Sequence, residues 1–162
     1  LGLKMQTKEE LESWYRTPDP WAYLTTSDDA TRKQIILNLF NTHYDRALDI
    51  GCGEGFVTTD LPATHIHGIE ISDLAASRFP SNVKRVFEPD GKYDLVMTTG
   101  TLYQQYNHKQ IYDWVMSAAS KHILIAGIKD WLQPYNFGTV MAMREFRYRE
   151  YVQQVTLYEV SA

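Results

Sequence analysis

Residues 46–55 read "RALDIGCGEG": an apolar run (Ala47, Leu48, Ile50) interrupted by Asp49, then glycines at 51, 53 and 55. The run predicts a strand. Three glycines at a spacing of two predict a backbone shaped around something, because glycine weakens strands and helices alike. The expectation is a loop at the carboxyl end of the first strand, where ligands bind in open parallel sheets, with N–H groups approaching a ligand unobstructed by β-carbons.

A second acid fits this placement. Glu70 closes the next apolar run, "IHGIEI", 21 residues after Asp49. A carboxylate about 20 residues beyond a glycine loop accepts hydrogen bonds from both hydroxyls of a ribose, so the pair points to a nucleoside. The dinucleotide fingerprint would put its third glycine at position 56, where Phe56 stands, and no Gly-Lys-Ser/Thr follows. Pyrophosphate seating and a P-loop are therefore unsupported. An acid ahead of the glycines suits a cationic amine better than a phosphate. The pocket reads as a site for a ribose and a positively charged group.

The totals narrow the class. The 162 residues suffice for one domain, 1–162, with its own core, and 44% hydrophobic against 22% charged residues is the balance of a globular chain. A formal net charge of −4 argues against a phosphate-gripping nucleic-acid binder and favours a small, neutral or cationic partner. Cys52 is the single cysteine, which excludes an intrachain disulfide and a cysteine-built zinc site and suits a reducing compartment. No apolar run approaches the roughly 20 residues of a membrane span, and "LGLKMQTKEELESW" lacks an apolar signal-like core. A cytoplasmic location with no membrane association is expected.

Along the chain, Thr7 with Glu10 three residues later predicts a capped helix over 7–16, which "TPDP" ends. "SDDATRKQIILNLF" predicts a second helix, capped by Ser27 or Asp28, with Ile35, Ile36, Leu39 and Phe40 as its apolar stripe. Strands are expected at "RALDI", "IHGIEI", "VKRVF", "YDLVMT" and "HILIAGI", with a helix over "NHKQIYDWVMSAAS". The alternating, Tyr- and Val-rich tail "MREFRYREYVQQVTLYEV" predicts a closing hairpin. Pro62 limits any helix after Gly55 to under two turns. Strands alternating with crossovers imply an α/β, Rossmann-like, mostly parallel sheet with helices on both faces.

"LDIGCGEG", "GIEIS" and "YDLVMTTGTLY" resemble, in order and spacing, motifs I, II and IV of the class I S-adenosylmethionine-dependent methyltransferases, over roughly residues 35–160. The resemblance implies a seven-stranded sheet with an antiparallel last strand, S-adenosylmethionine as cofactor and S-adenosylhomocysteine as product. It implies that Asp49 and the loop Gly51, Cys52, Gly53 to Gly55 hold the methionine portion, and that Glu70 holds the ribose. Ile71 would pack on adenine, with Phe87 and Glu88 near its edge. Thr99, Gly100 and Leu102 would border the sulfonium. "DPWAYLTTSDDATRKQIIL" and "LYQQY" are similar to the nodulation protein S group, which N-methylates a sugar amine. The acid that group carries before Leu102 is absent here, where Gly100 and Thr101 stand.

Trp21, Tyr23 and Tyr106 are candidates for the acceptor pocket. Tyr103 and His108 are candidate catalytic groups, His108 because its ordinary pKa suits a general base. Cys52 has no base beside it and reads as a small buried filler. His65 and His67 share one side of a strand, a spacing open to a metal, but with no third ligand they read as an exposed strand start, and no metal is expected. Arg144, Arg147 and Arg149, interleaved with Glu145 and Glu150, read as a solvated hairpin face. Residues 1–30 would form a lid. The expected function is methyl transfer to N or O of a small molecule; the alternatives are a non-catalytic binding module for the same ligand and a nicotinamide-dependent oxidoreductase.

Overall fold

The structure is a computed structural model that describes residues 7–161. Its centre is a seven-stranded sheet built from β1 (Tyr44–Ile50), β2 (Ala63–Ile69), β3 (Val83–Arg85), β4 (Tyr93–Thr99), β5 (Ala119–Ile128), β6 (Thr139–Tyr148) and β7 (Tyr151–Glu159). The spatial order is β3-β2-β1-β4-β5-β7-β6. Every pairing is parallel except those of β7, which runs antiparallel to both β5 and β6. The order of strand addition reverses between β1 and β4, and that switch point is the crevice where such sheets take ligands.

The burial of the strands explains their order. The last four residues of β1 and β2, and seven in succession at the end of β5, are buried, as strands covered on both faces must be. One core cluster packs Ala47, Leu95, Met97, Leu124 and Val155 beneath Ile36 of α2 (Ser27–Leu39). On the opposite face Leu48, Ile50, Val96, Ile123 and Ile125 meet Val115 and Ala118 of α4 (His108–Ala118). The helices α1 (Lys8–Tyr15) and α3 (Asp73–Ala76), a single turn, lie near each other.

The structure differs from the sequence reading in three places. Thr26, one residue earlier than expected, is the N-cap of α2, and its hydroxyl bonds to Asp29. After Gly55 the 3-10 turn Thr58–Asp60 stays within the two turns that Pro62 allows. β3 is three residues long, although Val86 still donates to Gly68. β6 begins four residues before the predicted hairpin and is exposed along most of its length, which alternation alone could not signal in an edge strand. No helix among the described residues is long and apolar enough to cross a membrane.

Candidate functional site: a cavity across the carboxyl ends of the strands

One cavity of about 730 Å³ runs across the carboxyl ends of the strands, from Glu70 and Ile71 after β2 to Tyr148, Tyr151 and Gln153 on the β6–β7 hairpin. At the β2 end, Glu70 is 7% exposed. Its Oε1 accepts from the Gly53 N–H at 2.9 Å and its Oε2 from the Ser72 N–H at 2.9 Å. Burial pushes this carboxyl upward and the two N–H bonds pull it back only in part. A carboxylate offers about four lone-pair sites, so two remain for further donors. Arg85 donates to the Glu70 carbonyl at 2.8 Å and pairs with Asp73 at 2.8 Å, fixing this corner. Ile71 and Phe87, 49% and 74% exposed, are apolar rims left uncovered by protein.

The glycine loop is built differently from the expectation. The N–H of Gly51 goes to the Ile69 carbonyl at 2.7 Å, that of Gly53 to Glu70, and that of Gly55 to the Cys52 carbonyl at 3.1 Å. None of the three reaches for a ligand. Gly53 and Gly55 are buried, and a β-carbon there would meet Tyr15 Oη at 2.9 Å or Pro80 Cδ at 2.8 Å. Gly51, at φ +72, does line the cavity, but a β-carbon on it would meet Thr101 at 2.5 Å. These glycines let the chain turn left-handed against its own neighbours, and in doing so they aim Gly53 at Glu70.

Asp49 does not line the cavity. It is 2% exposed, its Oδ2 accepts from Thr58 at 2.7 Å, and its Oδ1 has no partner among the described residues. Burial pushes it up to about 7, against the pull of Thr58 and Arg32. Buried and outside the cavity lining, Asp49 is not the open counter-charge that the sequence suggested for an amine. Cys52 also stands outside the lining, and burial raises its thiol well above the ordinary range.

Among the remaining predicted residues, Thr99, Gly100, Tyr103, Tyr106, Trp21 and Tyr23 all line the cavity. Leu102 is core, at 1% exposure, and Glu88 is exposed outside the lining. His108 stands outside as well, its Nδ1 sharing a 2.6 Å hydrogen bond with the Tyr135 hydroxyl. The Tyr103 hydroxyl accepts from the Ile128 N–H at 2.7 Å, and burial pushes it up to about 12. It is a proton-bearing group at neutral pH, not a base.

One sequence reading is corrected outright and another is extended. His67 is no exposed strand start: it is 8% exposed and its Nδ1 bonds to the Tyr93 hydroxyl at 2.8 Å. Arg149 is exposed, as a solvated hairpin face requires, but it is also anchored. It occupies the hairpin turn at φ +54 and reaches 2.7 Å from Asp29, while Arg144 and Arg147 do face solvent.

That ion pair leads to residues the sequence reading missed. The buried stripe of α2 is Asp29, Arg32 and Ile36, positions i, i+3 and i+7 of one face. Asp29, fully buried, accepts from Tyr148 at 2.5 Å, from Arg149 at 2.7 Å and from Thr26, and lies 3.6 Å from Arg32 Nε. Burial pushes its carboxyl up, but those hydrogen bonds together hold it below the usual range. Arg32 is 7% exposed, lines the cavity and stacks its guanidinium 5.2 Å from the Tyr23 ring; its Nε has no hydrogen-bond partner among the described residues. Charged residues where an amphipathic helix should be apolar were the available signal. Tyr15, at 5% exposure, also lines the cavity and caps Gly53. No three His, Cys, Asp or Glu side chains converge among the described residues.

The sheet order with its reversed seventh strand is that of the class I methyltransferase fold, and the comparisons agree. No family model matches the sequence, and no curated protein does. Among solved structures, the chain is similar to the N-methyltransferase NodS of Bradyrhizobium japonicum in complex with S-adenosylhomocysteine: TM-score 0.80, 16% identity, 96% of this chain and 98% of that one. It is also similar to the magnesium protoporphyrin IX methyltransferase of Synechocystis with bound S-adenosylmethionine, at a TM-score of 0.73 and 14% identity over 99% and 100% of the two chains. The [4+2]-cyclase SpnF shares the fold at 0.68, with 10% identity over 99% and 100%. At these identities the likeness shows the fold, and a cyclase among the matches shows that the fold alone does not name a reaction.

Proposed function

We propose that the chain binds S-adenosylmethionine and transfers its methyl group to N or O of a small-molecule acceptor. The observation that carries this is Glu70: a buried carboxylate, fixed by two backbone N–H groups at the end of β2, with acceptor capacity still open to a cavity at the sheet's switch point. The residues fit the cofactor. Glu70 would take the ribose hydroxyls, Ile71 and Phe87 would cover adenine, and Thr99 and Gly100 would border the sulfonium. Arg32, a buried guanidinium without a full set of partners, would take the methionine carboxylate. The bound cofactor supplies a methyl group on a good leaving group, so the chain's own task is alignment and exclusion of water. Tyr103 would do the first by holding the loop after β4 to Ile128, and the aromatic segment Trp14 to Tyr23, within the proposed lid of residues 1–30, would do the second.

A second reading is a binding module for the same ligand without catalysis. It is favoured by one observation: neither His108 nor Tyr103 presents a free proton acceptor to the cavity. An acceptor that needs no deprotonation removes that objection. Calorimetric titration with S-adenosylhomocysteine and with a nicotinamide dinucleotide tests the binding site. The expected result is binding of the first and not the second; the reverse overturns both readings. Release of S-adenosylhomocysteine on incubation with S-adenosylmethionine and small amines, phenols and sugars then separates enzyme from binder.

A further inference from the structure

The far end of the cavity holds a polar group that the proposed reaction does not yet use. Gln153 lies on β7, opposite Ile128 of β5 and Phe146 of β6. It is 4% exposed, it lines the cavity, and its carboxamide has no hydrogen-bond partner among the described residues. The enclosed orphan side-chain atoms among the described residues belong to Arg32, Asp49 and Arg85, so the amide of Gln153 is not sealed in protein but opens onto the cavity it lines. A buried amide with both a donor and an acceptor unmet is a group awaiting a ligand.

Its position separates it from the nucleoside end. From β2 to β7 the sheet order is β2-β1-β4-β5-β7, four inter-strand steps of about 4.8 Å, or about 19 Å. Beside it, Trp131 lies 5.0 Å from Tyr151 and meets Tyr103 edge-on at 5.5 Å, forming a continuous aromatic wall, and Trp131 remains 41% exposed.

Charge decides what sort of ligand this end takes. Glu70 is the one carboxylate in the described lining, and it belongs to the opposite end, so no carboxylate here would neutralise a cationic acceptor. The cations are committed too: Arg149 to Asp29, Arg85 and Lys8 to Asp73, and Arg32 to Asp29 and, on the reading above, to the methionine carboxylate. What remains is neutral hydrogen-bonding capacity against an aromatic face. We infer that Gln153 selects the methyl acceptor, and that the acceptor is an uncharged, ring-bearing molecule whose edge carries an amide-like donor and acceptor side by side. This rests on the cofactor reading of the Glu70 end.

The test is calorimetric titration of benzamide, benzoate and benzylamine into the free protein and into protein saturated with S-adenosylhomocysteine. Benzamide should bind, and the two charged analogues should bind at least about tenfold more weakly, since a site built around a buried amide rejects ligands that leave it unpaired. Gln153→Leu, close in volume, should weaken benzamide at least about tenfold and leave S-adenosylhomocysteine unchanged. Gln153→Glu should instead bring benzylamine above benzamide, a gain that misfolding cannot imitate. The inference is overturned if benzamide does not bind in the millimolar range, if a charged analogue matches it in the unmodified protein, or if Gln153→Leu weakens S-adenosylhomocysteine and spares benzamide. Binding of benzamide to a protein that ignores S-adenosylhomocysteine overturns the cofactor reading alone.

Discussion

The two ends of the cavity are made of different material. At the β2 end the parts are close in sequence and mostly backbone: Gly53 and Ser72 hold one carboxylate between them, and Gly51 is tied to the strand carrying that carboxylate. At the hairpin end the parts are side chains drawn from α2, the β6–β7 turn and the segment around Trp21, joined through the buried carboxylate of Asp29. One end is set by local chain geometry. The other depends on distant elements meeting, and it will fail and vary independently of the first.

The largest effect is expected at the hairpin end. Asp29→Ala leaves Arg32 buried without its counter-charge and removes the acceptor for Tyr148, and losing one member of a buried pair costs about 3–5 kcal/mol. Urea denaturation measures it; a loss below about 1 kcal/mol would mean that Asp29 does not hold the two halves together. Next is Arg32→Met, which should weaken S-adenosylhomocysteine by at least about thirtyfold, in line with truncating one side of a buried charge pair. Adenosine, which has no carboxylate, should bind both proteins alike. An equal loss for both ligands would place the damage in the fold and not in a carboxylate contact.

A smaller effect separates the two roles of a glycine. Gly51→Ala must adopt φ +72 and push on Thr101, for about 1–3 kcal/mol in stability. Adding Thr101→Ser removes the methyl group in the way and should restore the steric part, leaving the backbone part. If the double variant recovers nothing, the left-handed backbone is the whole cost.

The order legible in the sequence follows the same division. Asp49, the glycines and Glu70 form one short segment with a fixed spacing, so the β2 end could be read before any strand was paired. What could not be read was how those parts face: that Gly53 points at Glu70, and that Asp49 turns away from the cavity, follow from β1 pairing with β2 in one register. Asp29 and Arg32 were hidden because the stripe Ile35, Ile36, Leu39 and Phe40 already accounted for the helix, and nothing local marks two charged residues as its buried face. Their meeting with Tyr148 and Arg149, some 120 residues later, depends on α2 lying near β6.

The smallest effect lies outside the cavity, near the opposite ends of the strands. Tyr44 bonds His122 at 2.7 Å and Tyr93 bonds His67 at 2.8 Å, all four side chains buried. Burial holds both imidazoles below their ordinary range. The unfolded chain then binds protons that the native one refuses, so stability is present at pH 7 and falls as the pH drops below about 6.5. Urea midpoints between pH 7 and pH 5.5 should show that slope, and His67→Gln with His122→Gln should flatten it. An unchanged slope would assign the acid sensitivity to other groups.

The central claim is that Glu70 seats a ribose, and titration of S-adenosylhomocysteine into the unmodified protein and into Glu70→Gln tests it most directly. Gln keeps the size of the side chain, but its NH2 group must face one of the two backbone N–H donors that the carboxylate satisfies, so the affinity should fall at least about tenfold and the stability by about 1–3 kcal/mol. Equal affinity in the two proteins would contradict the claim.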